Sequence, residues 1–258
     1  MSVEEICEKF GIENYTINED GSIDVDSDVY LNGSNLTQIP LKFNKVTGDF
    51  YCYNNSLTSL KGSPKSVGGK FYCQYNKLTD LKESPKSIKK HFYCQNNSLT
   101  SLEGCPIEIG GTFNCSGNLL LKLSGSIKSI GGDFYCDQNN LTNLIEGPEY
   151  IGGDYHINNN NLTTLKGCPK SIGGDFYCNK NNLTNIDFIP DVIKGDFHCR
   201  KNPISSMFVY SDSDFIKSFK SYNIVKDNIV DIKRLKYIMS EFDKPINLEK
   251  IKKHYKIK

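Results

Sequence analysis

Phe50-Tyr51-Cys52 opens the stretch FYCYNNSLTSLKGSPKSVGGK (residues 50–70), and residues 71–91 repeat its pattern as FYCQYNKLTDLKESPKSIKKH. The triplet, or a close variant, begins at residues 50, 71, 92, 113, 134, 155, 176 and 197, always 21 residues apart. Val29-Tyr30-Leu31 precedes them in the same register. A fixed period of this length is typical of stacked solenoids. We therefore predict nine repeat units over residues 29–210.

Five apolar positions recur in each unit, and in residues 50–70 they are Phe50, Cys52, Leu57, Leu60 and Val67. One unit cannot bury so many apolar side chains, but stacked neighbours bury them as a continuous core. The order aromatic, tyrosine, cysteine alternates with the period of a β-strand. We expect the aromatic residue and the cysteine to face inward and the residue between them to face outward.

The rest of each unit is too short for an α-helix. A glycine pair such as Gly68-Gly69 precedes most strands, and we expect it to allow the turn into the strand. A proline such as Pro64, seven residues before the aromatic, favours an extended segment. The prediction is a parallel β-sheet on one face of the solenoid and extended or 3₁₀ segments on the other.

One polar column is expected inside the solenoid, two residues before the first leucine of each unit. It consists of Asn55, Asn76, Asn97, Asn118, Asn139, Asn160, Asn181 and Asn202. A buried amide must find partners for its donors and its acceptor. We expect each asparagine to bond the turn backbone of a neighbouring unit.

The string Cys-x-x-Asn-x-Leu-Thr-x-Leu, followed by proline and isoleucine, resembles the leucine-rich repeat. Its length is similar to that of the short bacterial-type class, which has about 21 residues per repeat. Phenylalanine and cysteine occupy strand positions where most members carry leucine, valine or isoleucine. The resemblance implies a curved solenoid with its parallel sheet on the concave side, and a role in binding other proteins.

The two ends depart from the repeat and are predicted to be caps, because a solenoid exposes its core at both ends. In residues 1–28, Ser2 to Glu5 has the form of a capping box, and the helix should end near Gly11. A hairpin is expected between residues 15 and 25. Residues 211–258 show helical spacing of apolar residues and are predicted to form a helical C-terminal cap.

Ten cysteines raise the question of disulfides, but seven of them occupy one inward column and are expected to remain reduced thiols. No metal or other cofactor is expected. The chain begins without the basic start and apolar core of a signal peptide, and no stretch is apolar enough for a bilayer. We expect a cytoplasmic location, or the host cytoplasm if the asparagine, lysine and isoleucine content reflects a viral or intracellular microbial genome.

Outward positions of the predicted sheet provide the candidate binding residues. They are Tyr51, Tyr72, Tyr93, Tyr135, His156, Tyr177 and His198 in the middle column, and Asp133, Asp154, Asp175 and Asp196 in the column before it. Tyrosine offers a large contact area with little entropy to lose. The same column is also compatible with aromatic ladder packing between strands.

The stacked aspartates would repel one another if nothing compensated their charge. Two arrangements are open at this point. Either each carboxylate accepts hydrogen bonds from the turn backbone, or a cation or a basic partner lies against the column.

Catalysis is not expected, because the histidines lie too far apart to share a metal and the cysteines face away from them. The predicted function is a non-enzymatic module that binds a protein through its tyrosine-rich concave face. The alternatives are a glycan-binding protein that uses the same face and a structural component that self-associates through its acidic and basic ends. A membrane is not expected as a partner, since no stretch is apolar enough for a bilayer. A nucleic acid is not expected either, since no basic stripe is seen along the concave face. The oligomeric state is left open.

Overall fold

A computed structural model describes residues 1–125, 127–207, 210–211, 213–226 and 228–258. The chain forms a β-solenoid of about eight stacked coils with a spacing of about 21 residues. Each coil contributes one short strand to each of two sheets. The predicted repeat and its period are confirmed. Residues 208, 209 and 212, which flank the predicted end of the repeats, lie outside the described residues.

The first of these sheets, the tyrosine sheet, contains the aromatic triplets. Its strands are Val29–Tyr30, Phe50–Tyr51, Phe71–Tyr72, Phe92–Tyr93, Phe113–Asn114, Phe134–Tyr135, Tyr155–His156, Phe176–Tyr177, Phe197–His198 and Tyr210–Ser211. All but the last pair in parallel, and residues 21 apart face each other, as Phe50 faces Phe71. The Cys52 N–H donates to the carbonyl of Tyr72 at 2.8 Å. This sheet was predicted from the period-2 alternation and is confirmed.

The other sheet, the isoleucine sheet, holds the column of β-branched residues. Its strands are Tyr15–Ile17, Ile23–Val25, Phe43–Val46, Ser66–Val67, Ser87–Ile88, Glu108–Ile109, Ser129–Ile130, Tyr150–Ile151, Ser171–Ile172 and Val192–Ile193. We had expected only extended or 3₁₀ segments here. Because neighbouring coils align the same extended segment, their backbone groups pair, as in the 2.9 Å bond from Gly68 N–H to the Val46 carbonyl. Among the described residues, the one 3₁₀ helix is Pro203–Ser206.

The inward columns form the core. Phe50, Phe71 and Phe92 are fully buried, as are Cys52 and Cys73. Successive rings of the phenylalanine column lie 5.2 to 5.5 Å apart. Removing each such side chain from water contributes about 1.5–3 kcal/mol. Each coil therefore depends on its neighbours to cover its apolar side chains.

The asparagine column bridges consecutive coils as predicted. Asn160 Oδ1 accepts a hydrogen bond from the Leu141 N–H at 3.0 Å, in the preceding coil. Its Nδ2 donates to the carbonyls of Cys136 and Ile157 at 3.1 and 3.2 Å. Equivalent bonds are made by Asn55, Asn76, Asn97, Asn118, Asn139, Asn181 and Asn202. One amide thus satisfies three backbone groups that stacking removes from water.

A left-handed residue follows each of the nine parallel strands of the tyrosine sheet and turns the chain toward the asparagine. These residues, with φ between 54° and 64°, are Gly33, Asn54, Tyr75, Asn96, Gly117, Gln138, Asn159, Lys180 and Lys201. Glycine and asparagine accept this conformation readily, whereas other residues adopt it at a cost of about 1–2 kcal/mol. The strands therefore end where the backbone must turn.

The N-terminal segment has the predicted elements. Helix α1, Val3–Phe10, starts with a capping box between Ser2 and Glu5, and Gly11 ends it with φ of 60°. The strands Tyr15–Ile17 and Ile23–Val25 pair in antiparallel fashion, and the second continues the isoleucine sheet.

The C-terminal segment is mixed rather than purely helical. Its helices are α2 Ser213–Ser221, α3 Ile232–Glu241 and α4 Leu248–Lys252, and its small sheet consists of Val225–Lys226, Ile229–Val230 and Lys256–Ile257. The helices follow the predicted apolar spacing, but two-residue strands leave no periodic signal in the sequence. The Tyr255 hydroxyl donates to the Thr184 carbonyl at 2.6 Å, so this segment bonds to the last coils.

Replacing Asn160 with leucine is expected to lower the free energy of unfolding by about 1–3 kcal/mol, because it leaves backbone groups of two coils buried without partners. Urea unfolding followed by circular dichroism measures the change. Asn161→Leu is the matched control, since Asn161 is exposed and bonds Leu141 through its backbone N–H, which the substitution keeps. Equal effects of the two substitutions would contradict the proposed role of the amide.

Candidate binding surface

The tyrosine face is the outward side of the tyrosine sheet, and all eleven predicted binding residues belong to its strands or to the residue before them. Its middle column forms stacked rings. The pairs Tyr30–Tyr51, Tyr51–Tyr72, Tyr72–Tyr93, Tyr135–His156, His156–Tyr177 and Tyr177–His198 have centroids 4.4 to 5.0 Å apart and planes within 19°. Each ring covers the flat face of the next. Ladder packing is thus part of the role of these side chains, and what they leave exposed is mainly ring edges.

Asn114 divides the column into two stacks. The N-terminal stack ends at Tyr93 and the C-terminal stack begins at Tyr135, so along the column each of these rings has a stacked neighbour on one side only. His91, two residues before Tyr93, also lies beside the Tyr93 ring, with centroids 6.0 Å and planes 27° apart. The Asn114 side chain bends along its own strand, where Oδ1 accepts from the Ser116 N–H at 3.0 Å. The tyrosine face therefore has one interruption, near its middle.

Hydrogen bonds to the next coil compensate the aspartate column. Asp133 Oδ1 accepts from the Asp154 N–H at 2.9 Å, and Asp154 and Asp175 accept in the same way from Asp175 and Asp196 at 2.8 Å. Asp28 and Asp49 make the same bond at 2.7 Å. Of the two arrangements left open by the sequence, the structure shows the bond to the turn backbone. Each of these five carboxylates accepts one N–H of the following coil.

The second oxygen of several aspartates fixes a tyrosine hydroxyl. The Tyr51 hydroxyl donates to Asp49 Oδ2 at 2.9 Å, and Tyr177 donates to Asp175 Oδ2 at 2.7 Å. The carboxylate of Asp175, together with burial, raises the pKa of Tyr177 to about 12, and the Tyr177 hydroxyl and the Asp196 N–H lower the pKa of Asp175. These tyrosines are neutral hydrogen-bond donors at physiological pH, and their rings are held in one orientation.

The histidines of the face play different parts. His91 stands where other coils have aspartate, and its Nδ1 accepts from the Thr112 N–H at 2.9 Å. Burial, together with the charge of Lys70, lowers the pKa of His91, which favours the neutral ring that can accept this bond. His156 Nε2 lies 3.8 Å from Asp154 Oδ2, which is too long for a hydrogen bond.

The glycine pairs provide space rather than an unusual turn conformation. A β-carbon at Gly153 would overlap with the Asp133 carboxylate of the preceding coil, and the same holds for Gly174 and Asp154. Neither glycine has a positive φ. We had expected these glycines to provide a turn conformation, and that reason was wrong, because they instead leave room for the carboxylate of the preceding coil. Lys90 occupies the equivalent position of its coil, where the preceding coil has Lys70 instead of an aspartate.

The third outward column is also a ladder. Asn158 donates to Asp137 Oδ1 through its backbone N–H and its side-chain Nδ2, at 2.7 and 2.8 Å. Asn179 repeats this pattern on Asn158. Burial raises the pKa of Asp137, despite the bonds from Asn158. In earlier coils, Gln74 and Gln95 have a side-chain oxygen that is buried without a hydrogen-bond partner.

The inward thiols do not reach this surface. All ten cysteines are free, and burial raises the pKa of column members such as Cys94 and Cys136. Within the described ranges, no group of three or more histidine, cysteine, aspartate or glutamate side chains is arranged to hold a metal ion. None of the described helices has the length and apolar character needed to cross a bilayer.

Gly153→Ala is expected to destabilise the fold by about 1–3 kcal/mol, because the new methyl group displaces the Asp133 carboxylate. In an Asp133→Ala background the same substitution should cost about 1 kcal/mol less, since the obstructing oxygen is gone. Urea unfolding of the two single variants and the double variant measures this coupling. Additive effects would show that the glycine does not make room for the carboxylate.

The tyrosine face combines rings, carboxylates and amides that are each fixed by a neighbouring coil. Such a surface offers aromatic edges and hydrogen-bond acceptors in a set geometry. The spacing of both is determined by the stacking of the coils. Neither a scan against protein-family models nor a search of the curated proteins finds a match for this chain.

Proposed function

We propose that the chain is a non-enzymatic module that binds a protein partner through the tyrosine face. The main support is that the outward side chains are fixed before any partner arrives. Tyr51, for example, stacks on Tyr72 at 4.7 Å and donates its hydroxyl to Asp49. A surface that is already ordered loses little conformational entropy on binding. Tyrosine is also enriched among the residues that dominate binding energies.

We further propose that the solenoid is of the leucine-rich repeat kind, with the tyrosine face on its concave side. The motif Cys-x-x-Asn-x-Leu-Thr-x-Leu supports this, and so does the inward asparagine ladder. The second parallel sheet is a feature that the resemblance did not lead us to expect. The family assignment therefore rests on the motif rather than on the complete coil.

The charge of the face favours a basic partner. Asp133, Asp154, Asp175 and Asp196 follow one another along the C-terminal half of the column, and Asp137 lies in the column beside them. Asp133, Asp154, Asp175 and Asp137 each accept a hydrogen bond from a backbone N–H, which holds the carboxylate without neutralising it. Complementary charge across an interface steers encounter and selects partners. A segment with several positive side chains is thus the partner chemistry that suits this half.

The structure favours a protein over a glycan. A sugar that stacks on an aromatic side chain needs a free ring face, and along the column only the rings that end a stack, such as Tyr93 and Tyr135, have a face that no column neighbour covers. Exposed ring edges and hydroxyls suit the varied side chains of a protein better. Self-association through the acidic and basic ends remains the structural alternative, and light scattering that shows a monomer at every salt concentration would exclude it.

An enzymatic role finds no support in the surface chemistry. The buried cysteines have raised pKa values and lie on the opposite side of the sheet from His156 and His198. The hydroxyls of Tyr51 and Tyr177 are donors to carboxylates, and the pKa of each is raised rather than lowered. We propose a reducing compartment such as the cytoplasm, because ten free thiols suit it.

The double variant Tyr93→Lys/Tyr135→Lys is expected to lose at least about tenfold in capture of the native partner, because two central rings are replaced by charges that repel a basic segment. Affinity capture from host lysate, quantified by mass spectrometry, measures the loss. The fold should persist, since along the column each ring stacks on one neighbour only, and such a pair contributes about 0.5–1.5 kcal/mol.

The matched control is Tyr75→Lys/Tyr150→Lys, which removes two tyrosines and adds two charges elsewhere. Tyr75 is 55% exposed in a turn, and Tyr150 is 52% exposed on the isoleucine sheet. The control should capture the partner like the unmodified protein. Undiminished capture by the tyrosine-face variant, with its fold intact, would contradict the proposed binding face.

A further inference from the structure

The interruption at Asn114 leaves a gap of defined width between two aromatic rings. Because Tyr93 and Tyr135 are two strands apart at ~4.8 Å per strand, their rings are separated by about 9.6 Å. A planar group midway would lie at the same spacing as the stacked rings of the face, which is 4.4 to 5.0 Å. The shorter Asn114 side chain is bonded to Ser116 and forms the floor. We call the space between Tyr93, Asn114 and Tyr135 the Asn114 slot.

The face itself shows which kind of group fits between two tyrosines. His156 lies between Tyr135 and Tyr177, with its ring centroid 4.4 Å from each. The plane of the His156 ring lies within 19° of both tyrosine planes, and its Nε2 is 3.8 Å from the Asp154 carboxylate. A planar nitrogen group between tyrosines and beside a carboxylate is therefore a native arrangement of this surface. The Asn114 slot has the same walls without the middle ring.

The surroundings of the slot are rich in hydrogen-bond acceptors. Asp133 and Asp137 flank the strand of Tyr135, and the Oδ1 atom of each accepts from the following coil, on the side away from the slot. Their negative charge lies beside the Tyr135 wall. The charges of Lys70 and of Asp133 both act on the Tyr93 hydroxyl, Lys70 from the N-terminal side and Asp133 from across the slot. On the Tyr93 side, Gln95 has a buried oxygen without a hydrogen-bond partner. These groups call for an occupant that is planar, positively charged and able to donate several hydrogen bonds.

Other charges nearby do not reverse this preference. His91, next to the Tyr93 wall, is driven toward its neutral form by burial and by Lys70. Lys70 interacts with Tyr72, which is one coil further from the slot than Tyr93. Lys90 directly precedes His91 in the sequence. Positive charge therefore lies on the N-terminal side of the slot, and negative charge lies beside its C-terminal wall, where Asp133 and Asp137 bond the following coil.

We propose that the Asn114 slot binds the guanidinium group of an arginine side chain of the protein partner, stacked between Tyr93 and Tyr135. The proposal rests on the proposed function and names the residue that anchors the partner. A guanidinium is planar, stacks on aromatic faces and carries five N–H donors for the surrounding acceptors. A lysine ammonium has the charge but not the plane, and a phenyl ring has the plane but leaves the carboxylates uncompensated.

Three short peptides test the proposal without the native partner: acetyl-Gly-Gly-Arg-Gly-Gly-amide and its lysine and phenylalanine counterparts. Each is titrated into the full-length protein while the ring resonances of Tyr93 and Tyr135 are followed by NMR. The arginine peptide is expected to shift both resonances and to bind about tenfold more tightly than the lysine peptide, because stacking between two rings adds to charge attraction. Equal binding of the two cationic peptides, preference for phenylalanine, or unchanged resonances would overturn the proposal.

Substitutions at the floor of the slot provide the controls. Asn114→Tyr places in the gap the residue that this column has in most other coils, and Asn114→Ser keeps the gap open. The tyrosine variant should lose the preference for arginine over lysine, whereas the serine variant should retain it. Asn114→His closes the slot in a second way if the tyrosine variant fails to fold. A closed slot that still prefers arginine would overturn the proposal.

Failure of this proposal is distinguishable from failure of the proposed function. The peptide titration needs no native partner and reports only on the slot. Capture of the native partner is compared between the tyrosine-face variant and its control, Tyr75→Lys/Tyr150→Lys. If the tyrosine-face variant loses capture and its control does not, but the peptides show no preference for arginine, the slot proposal is wrong and the proposed function stands.

Discussion

Stacking in strict register is the constraint on which the rest of the structure depends. Residues 21 apart become neighbours in adjacent strands, so every side chain must be compatible with its own copies above and below. Inside, this condition gives a column of phenylalanine rings about 5.5 Å apart and a ladder of asparagine amides. Because each amide bonds backbone groups of two coils, register and hydrogen bonding are specified by the same residue.

The same constraint determines the chemistry of the outward face. Tyrosine next to tyrosine is favourable, because the rings stack. Aspartate next to aspartate is tolerable only because each carboxylate accepts an N–H from the next coil, and the glycine of that coil leaves room for it. The coil with Lys90 supports this explanation, since its predecessor has Lys70 and needs no such room. The face is therefore ordered and acidic as a consequence of the packing that holds the solenoid together.

Much of this architecture could be predicted from the sequence, because the repeat converts one-dimensional spacing into three-dimensional contact. The tyrosine sheet, the buried asparagines and the helix that Ser2 caps all follow from local patterns. The isoleucine sheet could not be predicted in this way, since a strand as short as Ser66–Val67 has no periodicity of its own. The role of Gly153 depends on a carboxylate 20 residues earlier in the chain, and the slot at Asn114 depends on two rings in different coils.

The candidate site was predicted as a set of residues but not as a geometry. Because their rings stack, Tyr51 and Tyr72 stabilise the fold as well as form the surface. At Tyr93 the stack ends, and the ring face toward Asn114 has no tyrosine against it. Everything depends on the coil register, and nuclear Overhauser contacts between selectively labelled phenylalanine rings test it most directly. We expect a chain of contacts from Phe50 through Phe71, Phe92 and Phe113 to Phe134, each between residues 21 apart. Contacts in any other order, or none, would contradict the stacked solenoid.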